Sequence, residues 1–338
     1  MVTCLAKSYI SPELPDKFLA KHQLMLYFND LLVDLLVKAD EKDLSSEKID
    51  LKDNETIPED ISPIDWLIEN GYKDVAFKST KSHVFFSLLR DFMFYMHESF
   101  SCSERGKVTV AFANSRKPIK DNLFYMCWLL VDSKEFISKL LYDEPRSFEV
   151  STIGPDFIIH ILKESVKKVD FPLTGELLAE IIYDKKSPRS LAGIWDKSLH
   201  VVTNDKRYPT PVGTLNFIFA DDEIWDEHWE TYYNKISHIM NFAVKVSIAL
   251  FEEIAKVDED TKLLNKFIRN MKYDLTYSNK FESEFYKDIF KHLSFTCEEC
   301  NGTFKLEEHV LHEFIYDYLF TCPYCEYVER VGQYYFSE

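Results

Sequence analysis

Glycine is scarce in this chain: eight residues in 338. That excludes a fold built on Gly-rich phosphate loops and speaks against a turn-dense all-β protein. Basic residues are in deficit, with 40 Lys and Arg against 57 Asp and Glu and a formal net charge of −17. Broad, sequence-independent nucleic-acid binding needs basic surface, and the charge argues against it. The same charge does not exclude a local basic pocket inside an acidic molecule. No uncharged run is long enough to span a bilayer, so no membrane association is expected. The opening MVTCLAKSYISPELPDK has no apolar signal-peptide core. Disulfide pairing is disfavoured too. Four of the seven cysteines fall in two C-x-x-C pairs, and Cys4, Cys102 and Cys127 are left as an odd set. This usage fits the reducing cytoplasm.

What the chain does have is apolar and aromatic mass. Hydrophobic residues make up 46%, including 27 Phe and 19 Tyr, enough for a large core. Low glycine with long periodic apolar runs predicts a mainly α fold. Three regions are expected: 1–75, a helical region with an acidic loop; 76–292, a helical domain; and 293–338, a metal-binding module. In the loop from Ala39 to Asp60, nine acids face three lysines, which reads as a solvated segment.

Helices are predicted over Pro15–Lys38, Ile61–Gly71, Ser82–Ser99, Val108–Asn114, Ser133–Tyr142, Pro155–Lys168, Gly175–Asp184 and Asp222–Lys256. A further helix follows, capped by Asp260 or Thr261 and running to about His292. Cys102–Gly106 reads as a turn. Ser187 with Pro188 reads as the start of another helix, with Trp195 facing the core. Val201–Thr203 and Thr214–Phe219 read as a β-hairpin.

Two basic stretches stand out. The first, SRKPIKDNLFYMCWLLVD at Ser115–Asp132, joins Arg116-Lys117 and Lys120 to an apolar helical run. Pro118 either kinks that helix or opens a second segment. Arg116 and Lys120 lie i,i+4, and adjacent like charges call for an answering anion. One answer is a carboxylate from Asp121, Glu135 or a neighbouring helix; the other is a phosphate. The second stretch is KKSPRSLAGIWDKSLHVVTNDKR at Lys185–Arg207, in which Lys197 and His200 share a helix face.

Cys297-Glu-Glu-Cys300 and Cys322-Pro-Tyr-Cys325 form two knuckles 21 residues apart. Two such knuckles complete a tetrahedral four-thiolate shell suited to structural Zn2+ with no open catalytic position. The spacing resembles a zinc ribbon, with strands expected at Thr303–Leu306, Phe314–Phe320 and Glu326–Phe336.

Arg90-Asp91 followed by His97 resembles the R-x4-6-H string of HEPN nucleases. Together with the two basic stretches and TLNFIF, it makes the region from Ser82 to Lys256 similar to helical HEPN-like proteins of abortive infection and phage defence. The resemblance implies a multi-helix bundle that cuts RNA without metal in a cleft between two copies of the chain. It casts His97 as acid/base and Arg90 as its phosphate-binding partner. A second casting uses His200 with Arg116 and Lys197, which form no compact string. The chemistry is coherent: a histidine titrating near neutrality moves the 2′-OH proton while a guanidinium holds the phosphate. Many relatives are non-catalytic. The other expectation is therefore an interaction or sensor module that binds a protein partner or a ligand, in which Arg90 and His97 are polar residues satisfied by their neighbours.

Overall fold

A computed structural model describes residues 13–46, 55–217, 222–277, 294–305 and 319–330, together with Ser11, Ile49, Leu51, Lys52, Asp288, Lys291, His292 and Tyr334. Cys4, His309, His312, residues 278–287, 289 and 290 of the last expected helix and most of the strand expected at Phe314–Phe320 lie outside the described residues.

The protein is mainly helical. In chain order the helices are α1 (Asp16–Glu41), α2 (Pro63–Glu69), α3 (Lys73–Glu104), α4 (Val108–Lys117), α5 (Leu123–Val131), α6 (Ser133–Tyr142), α7 (Pro155–Val169), α8 (Gly175–Tyr183), α9 (Ala192–Leu199), α10 (Asp222–Ala255) and α11 (Glu259–Tyr277). A π turn at Pro118–Asn122 joins α4 to α5. This is how the chain answers Pro118. Proline has no N–H and its ring collides with the carbonyl four residues back. Widening one turn lets the helical path continue through it.

The sequence LFYMCWLLV makes α5 apolar all round, and Leu123, Phe124 and Met126–Leu130 are buried. It is the centre of the core and packs against α3, α6, α7 and α10. The same core takes Phe28, Leu32 and Leu35 from α1, Phe85 and Phe92 from α3, and Tyr232, Met240 and Phe251 from α10. Helices α10 and α11 run antiparallel. Ser237 meets Tyr277 and, four residues further from the helix end, His238 meets Tyr273. A buried polar relay ties α1, α3 and α10 together. His22 Nδ1 lies 2.9 Å from Tyr233 Oη, and Ser103 Oγ donates to the same oxygen at 3.0 Å.

Local signals position the walls of the site. Pro155 occupies the first turn of α7, as its fixed φ favours. Asp132 caps α6 by accepting from the Glu135 N–H, and Thr174 caps α8 by accepting from Leu177 N–H.

Several expectations are corrected. Cys102 belongs to α3, which turns only at Gly106, where φ is +72°. The apolar run Phe92–Met96, which reads as core throughout in the sequence, is split: Phe94 and Tyr95 are exposed, because α3 is two-sided and its core stripe runs through Phe85, Leu89, Phe92 and Met96. Ser187 does not open α9. Its hydroxyl bonds Glu180 and receives Arg189 N–H, and the helix starts five residues later at Ala192. Asp258, not Asp260 or Thr261, caps α11 by accepting from Thr261 N–H. The expected hairpin across Val201–Phe217 is a loop. Thr203, Thr210 and Asn216 pin it through side-chain hydrogen bonds, and no strand forms among its described residues. Prolines at 209 and 211 supply no N–H for a ladder.

At the C-terminus, β1 (Ser294–Thr296) pairs antiparallel with β2 (Thr303–Lys305), and β3 (Leu319–Thr321) with β4 (Val328–Arg330). Each C-x-x-C is the tip of one of these short hairpins. β2 falls within the strand expected at Thr303–Leu306, β3 overlaps the end of the one expected at Phe314–Phe320, and β4 lies within Glu326–Phe336, while β1, ahead of the first knuckle, was not expected.

Candidate functional site

Arg116 ends α4 and Lys120 sits in the π turn, one turn later on the same side. Both line a cavity of about 700 Å3. Its other walls come from α7, α8, α9 and the loops after α6 and α9. The floor is apolar, with Ile158 of α7, Ala179 and Ile182 of α8, and Trp195 of α9. Lys185, Lys186 and Arg207 face the same space. Gly175 makes this wall possible. A Cβ there would come within 2.5 Å of the Lys163 backbone nitrogen, so only glycine lets α8 seat this closely on α7.

The charges are unevenly answered. Lys185 pairs with Asp196 at 2.9 Å, and Asp196 also receives the Tyr208 hydroxyl. Burial works against the Asp196 charge, but those two donors outweigh it and hold the carboxyl below its ordinary range. Arg207 is tied to Asp205. Arg116 and Lys120 make no side-chain hydrogen bond or ion pair among the described residues. None of the carboxylates proposed from sequence forms an ion pair with them among the described residues, although Asp121 acts on Lys120 at longer range. Glu135 accepts from the Trp128 indole at 3.3 Å. On the neighbouring α3, Asp91 takes Lys117 at 2.7 Å. Burial lowers the affinity of Lys120 for its proton, and the Arg116 charge lowers it further. Asp121 is pushed up by burial, with Lys120 and Arg116 opposing. The site is thus a half-sheltered pair of cations over an apolar floor, which is the arrangement that takes an anion.

The structure brings together Arg116 and the second basic stretch, but through Lys185, Lys186 and Arg207. Lys197 lines a separate cleft with Phe217 and His228. His200 caps the end of α9 in an exposed position and lines neither space. The casting of His200 with Arg116 and Lys197 is therefore not assembled. Arg90 and His97 are both exposed on α3 and are no part of the cavity. The floor residues were missed because they lie 42 to 79 residues beyond Arg116 in the chain. The available signal was the double like charge at 116 and 120 beside a second basic stretch.

The four knuckle cysteines do converge. Cys297 Sγ and Cys325 Sγ are 3.7 Å apart, as are Cys300 Sγ and Cys322 Sγ, and all four sulfurs lie within 4.8 Å of one another. A tetrahedral four-thiolate shell with metal–sulfur bonds of about 2.3 Å has edges of about 3.8 Å, so the set is sized for a metal ion. The two knuckles repeat each other. Asn301 N–H donates to Cys297 O and Glu326 N–H to Cys322 O, at 2.9 and 3.0 Å. Asn301 and Glu326, each following the second cysteine, have φ of +56° and +59°. In each knuckle the first cysteine is buried and the second exposed. Cys102 and Cys127 are buried away from this set, and burial pushes the Cys127 thiol up to about 12.

No helix among the described residues is long and apolar enough to cross a membrane. Comparison of the chain with protein-family models, with curated proteins and with solved structures gives no match.

Proposed function

We propose that this protein is a ligand-binding module whose cavity at Arg116 takes a small molecule with an anionic head and an apolar body, and whose C-terminal cysteines hold a structural zinc ion. One observation carries the first part. Arg116 and Lys120 are partly buried, unpaired among the described residues, and open onto about 700 Å3 of apolar-floored space. A guanidinium and an ammonium one turn apart repel unless a ligand charge lies between them. The volume suits a molecule of nucleotide size. Four thiolates with no further donor fill a zinc shell completely, which leaves the metal a structural role.

Octyl phosphate, an anion on an apolar chain, is a direct probe. By calorimetry it binds wild type and loses at least tenfold in affinity in Arg116→Met, while 1-octanol does not bind. Equal affinity for wild type and Arg116→Met removes this reading.

A second reading keeps RNA cleavage of the HEPN kind, with His97 as acid/base and Arg90 on the phosphate. It is favoured by the exposure of both side chains two turns apart on one face of α3, with Phe94, 65% exposed, between them. An apolar side chain there would suit a contact with a second copy of the chain. In magnesium-free buffer, RNA cleavage lost in His97→Ala and kept in His200→Ala supports it. Cleavage equal in wild type and His97→Ala removes it.

A further inference from the structure

A second space, about 330 Å3, lies between the end of α7, α10 and α11 and shares no lining residue with the first. Two of its cations are deeply placed. Lys245 of α10 and Arg269 of α11 are each 7% exposed. Among the described residues Lys245 Nζ reaches only the Asp170 backbone oxygen, at 3.3 Å. Arg269 Nη1 grazes Asn265 O at 3.5 Å, and its Nε has no partner. Neither has a carboxylate at ion-pair distance among the described residues.

The acids of the pocket are already engaged. Asp170 pairs with Lys266 at 3.1 Å, Glu259 with Lys262 at 2.7 Å, and Glu252 accepts from the Tyr334 hydroxyl at 2.8 Å. The lining holds five cations against these three carboxylates. Glu252 acts on Arg269, and Asp170 and Asp274 on Lys245, only at longer range, and two buried cations without a contacting counter-ion are unfavourable together. Burial, helped by Arg269 and Lys266 and opposed by Asp170 and Asp274, pulls the Lys245 ammonium down to about 8.

We propose that this pocket is an oxyanion site for a phosphate group, held by the Arg269 fork and the Lys245 ammonium with Lys266 at the rim. A guanidinium offers paired N–H donors matched to phosphate oxygens, and the ammonium adds a point charge. The space admits free phosphate or the phosphoryl end of a small metabolite. It is about half the size of the first cavity, which the proposed function assigns to a larger ligand, and the two assignments stand independently.

The experiment uses the full chain. Thermal melts are compared in inorganic phosphate, in glucose 6-phosphate and in chloride of matched ionic strength, with 31P line broadening as a direct readout of binding. The melting temperature is expected to rise in phosphate over chloride, and a rise is expected to persist in an Arg116→Met background. The rise disappears in Lys245→Met, and that variant melts no lower than wild type in chloride, because it removes a buried charge that forms no ion pair. Should Lys245→Met fold poorly, Lys266→Glu at the exposed rim serves in its place and weakens phosphate binding at least tenfold. A response to glucose 6-phosphate exceeding that to phosphate assigns the site to a phosphorylated metabolite; the reverse assigns it to free phosphate. No difference between phosphate and chloride overturns the proposal. So does a phosphate effect lost in Arg116→Met but kept in Lys245→Met or Lys266→Glu.

Discussion

The indole Nε1 of Trp195 donates to the Ser115 hydroxyl at 3.0 Å, with both side chains sealed from water. The Ser115 hydroxyl in turn donates a hydrogen bond to Phe112 O at 2.8 Å. The bond fixes α9 against the end of α4, immediately beside Arg116. It therefore couples a wall of the cavity to the helix that carries the cavity's principal cation.

Ser115→Ala leaves the Trp195 N–H buried without an acceptor, a loss of about 1–3 kcal/mol. Trp195→Phe removes donor and need together, so its hydrogen-bond cost is smaller, though it trades indole for a smaller ring. Urea denaturation of both variants separates the effects. A Ser115→Ala variant as stable as wild type would show that the bond contributes nothing.

Gly175→Ala places a methyl against the Lys163 backbone. Backbone cannot rotate away, so α8 must shift off α7 at a cost of about 1–3 kcal/mol. Because α8 supplies Ala179 and Ile182 to the cavity floor, octyl phosphate affinity falls with it. Gly154→Ala, where a Cβ meets open space, is the control and leaves binding unchanged.

Cys322→Ser removes one thiolate of the convergent four and is expected to lose the bound metal, read as zinc released per chain in a colorimetric assay. Gly302→Ala strikes the same module from outside the shell. Its Cβ would lie 2.5 Å from the Tyr324 ring and 3.2 Å from Cys300 Sγ, and Tyr324 donates to Thr303 O across the two hairpins. Metal affinity should drop in that variant. Stoichiometric zinc in Cys322→Ser would refute the four-cysteine shell.

Lys245 gives a pH dependence of known sign. It faces Arg269, Lys266, Asp170 and Asp274, and burial brings its folded value to about 8 from an ordinary 10.5. The folded state therefore holds this proton more weakly than the unfolded chain. The stability that follows is complete above 10.5 and is lost as pH falls through about 8. In phosphate-free buffer, wild type should gain melting temperature relative to Lys245→Met between pH 7.5 and 10. A difference that stays flat across that range contradicts the burial of an unanswered charge.

The sequence by itself determined the helices with a strong apolar period, and it placed α5 at the centre, because a segment apolar on every side has nowhere else to go. It determined the four cysteines as one set, since each C-x-x-C is a local turn that aims two sulfurs at one point. It also flagged Arg116 and Lys120 as charges in want of an anion, since i,i+4 spacing is a property of the helix alone. Only the tertiary structure decided which residues answer them. Ile158, Ala179, Ile182 and Trp195 meet Arg116 because α7, α8 and α9 fold back over the π turn, and Lys185 and Arg207 face the space where Lys197 and His200 were expected. The pairing of Lys245 with Arg269 was likewise invisible, since neither helix announces which face its partner will cover. Local spacing carries local geometry; convergence of distant residues depends on packing, and packing is settled by the whole core at once.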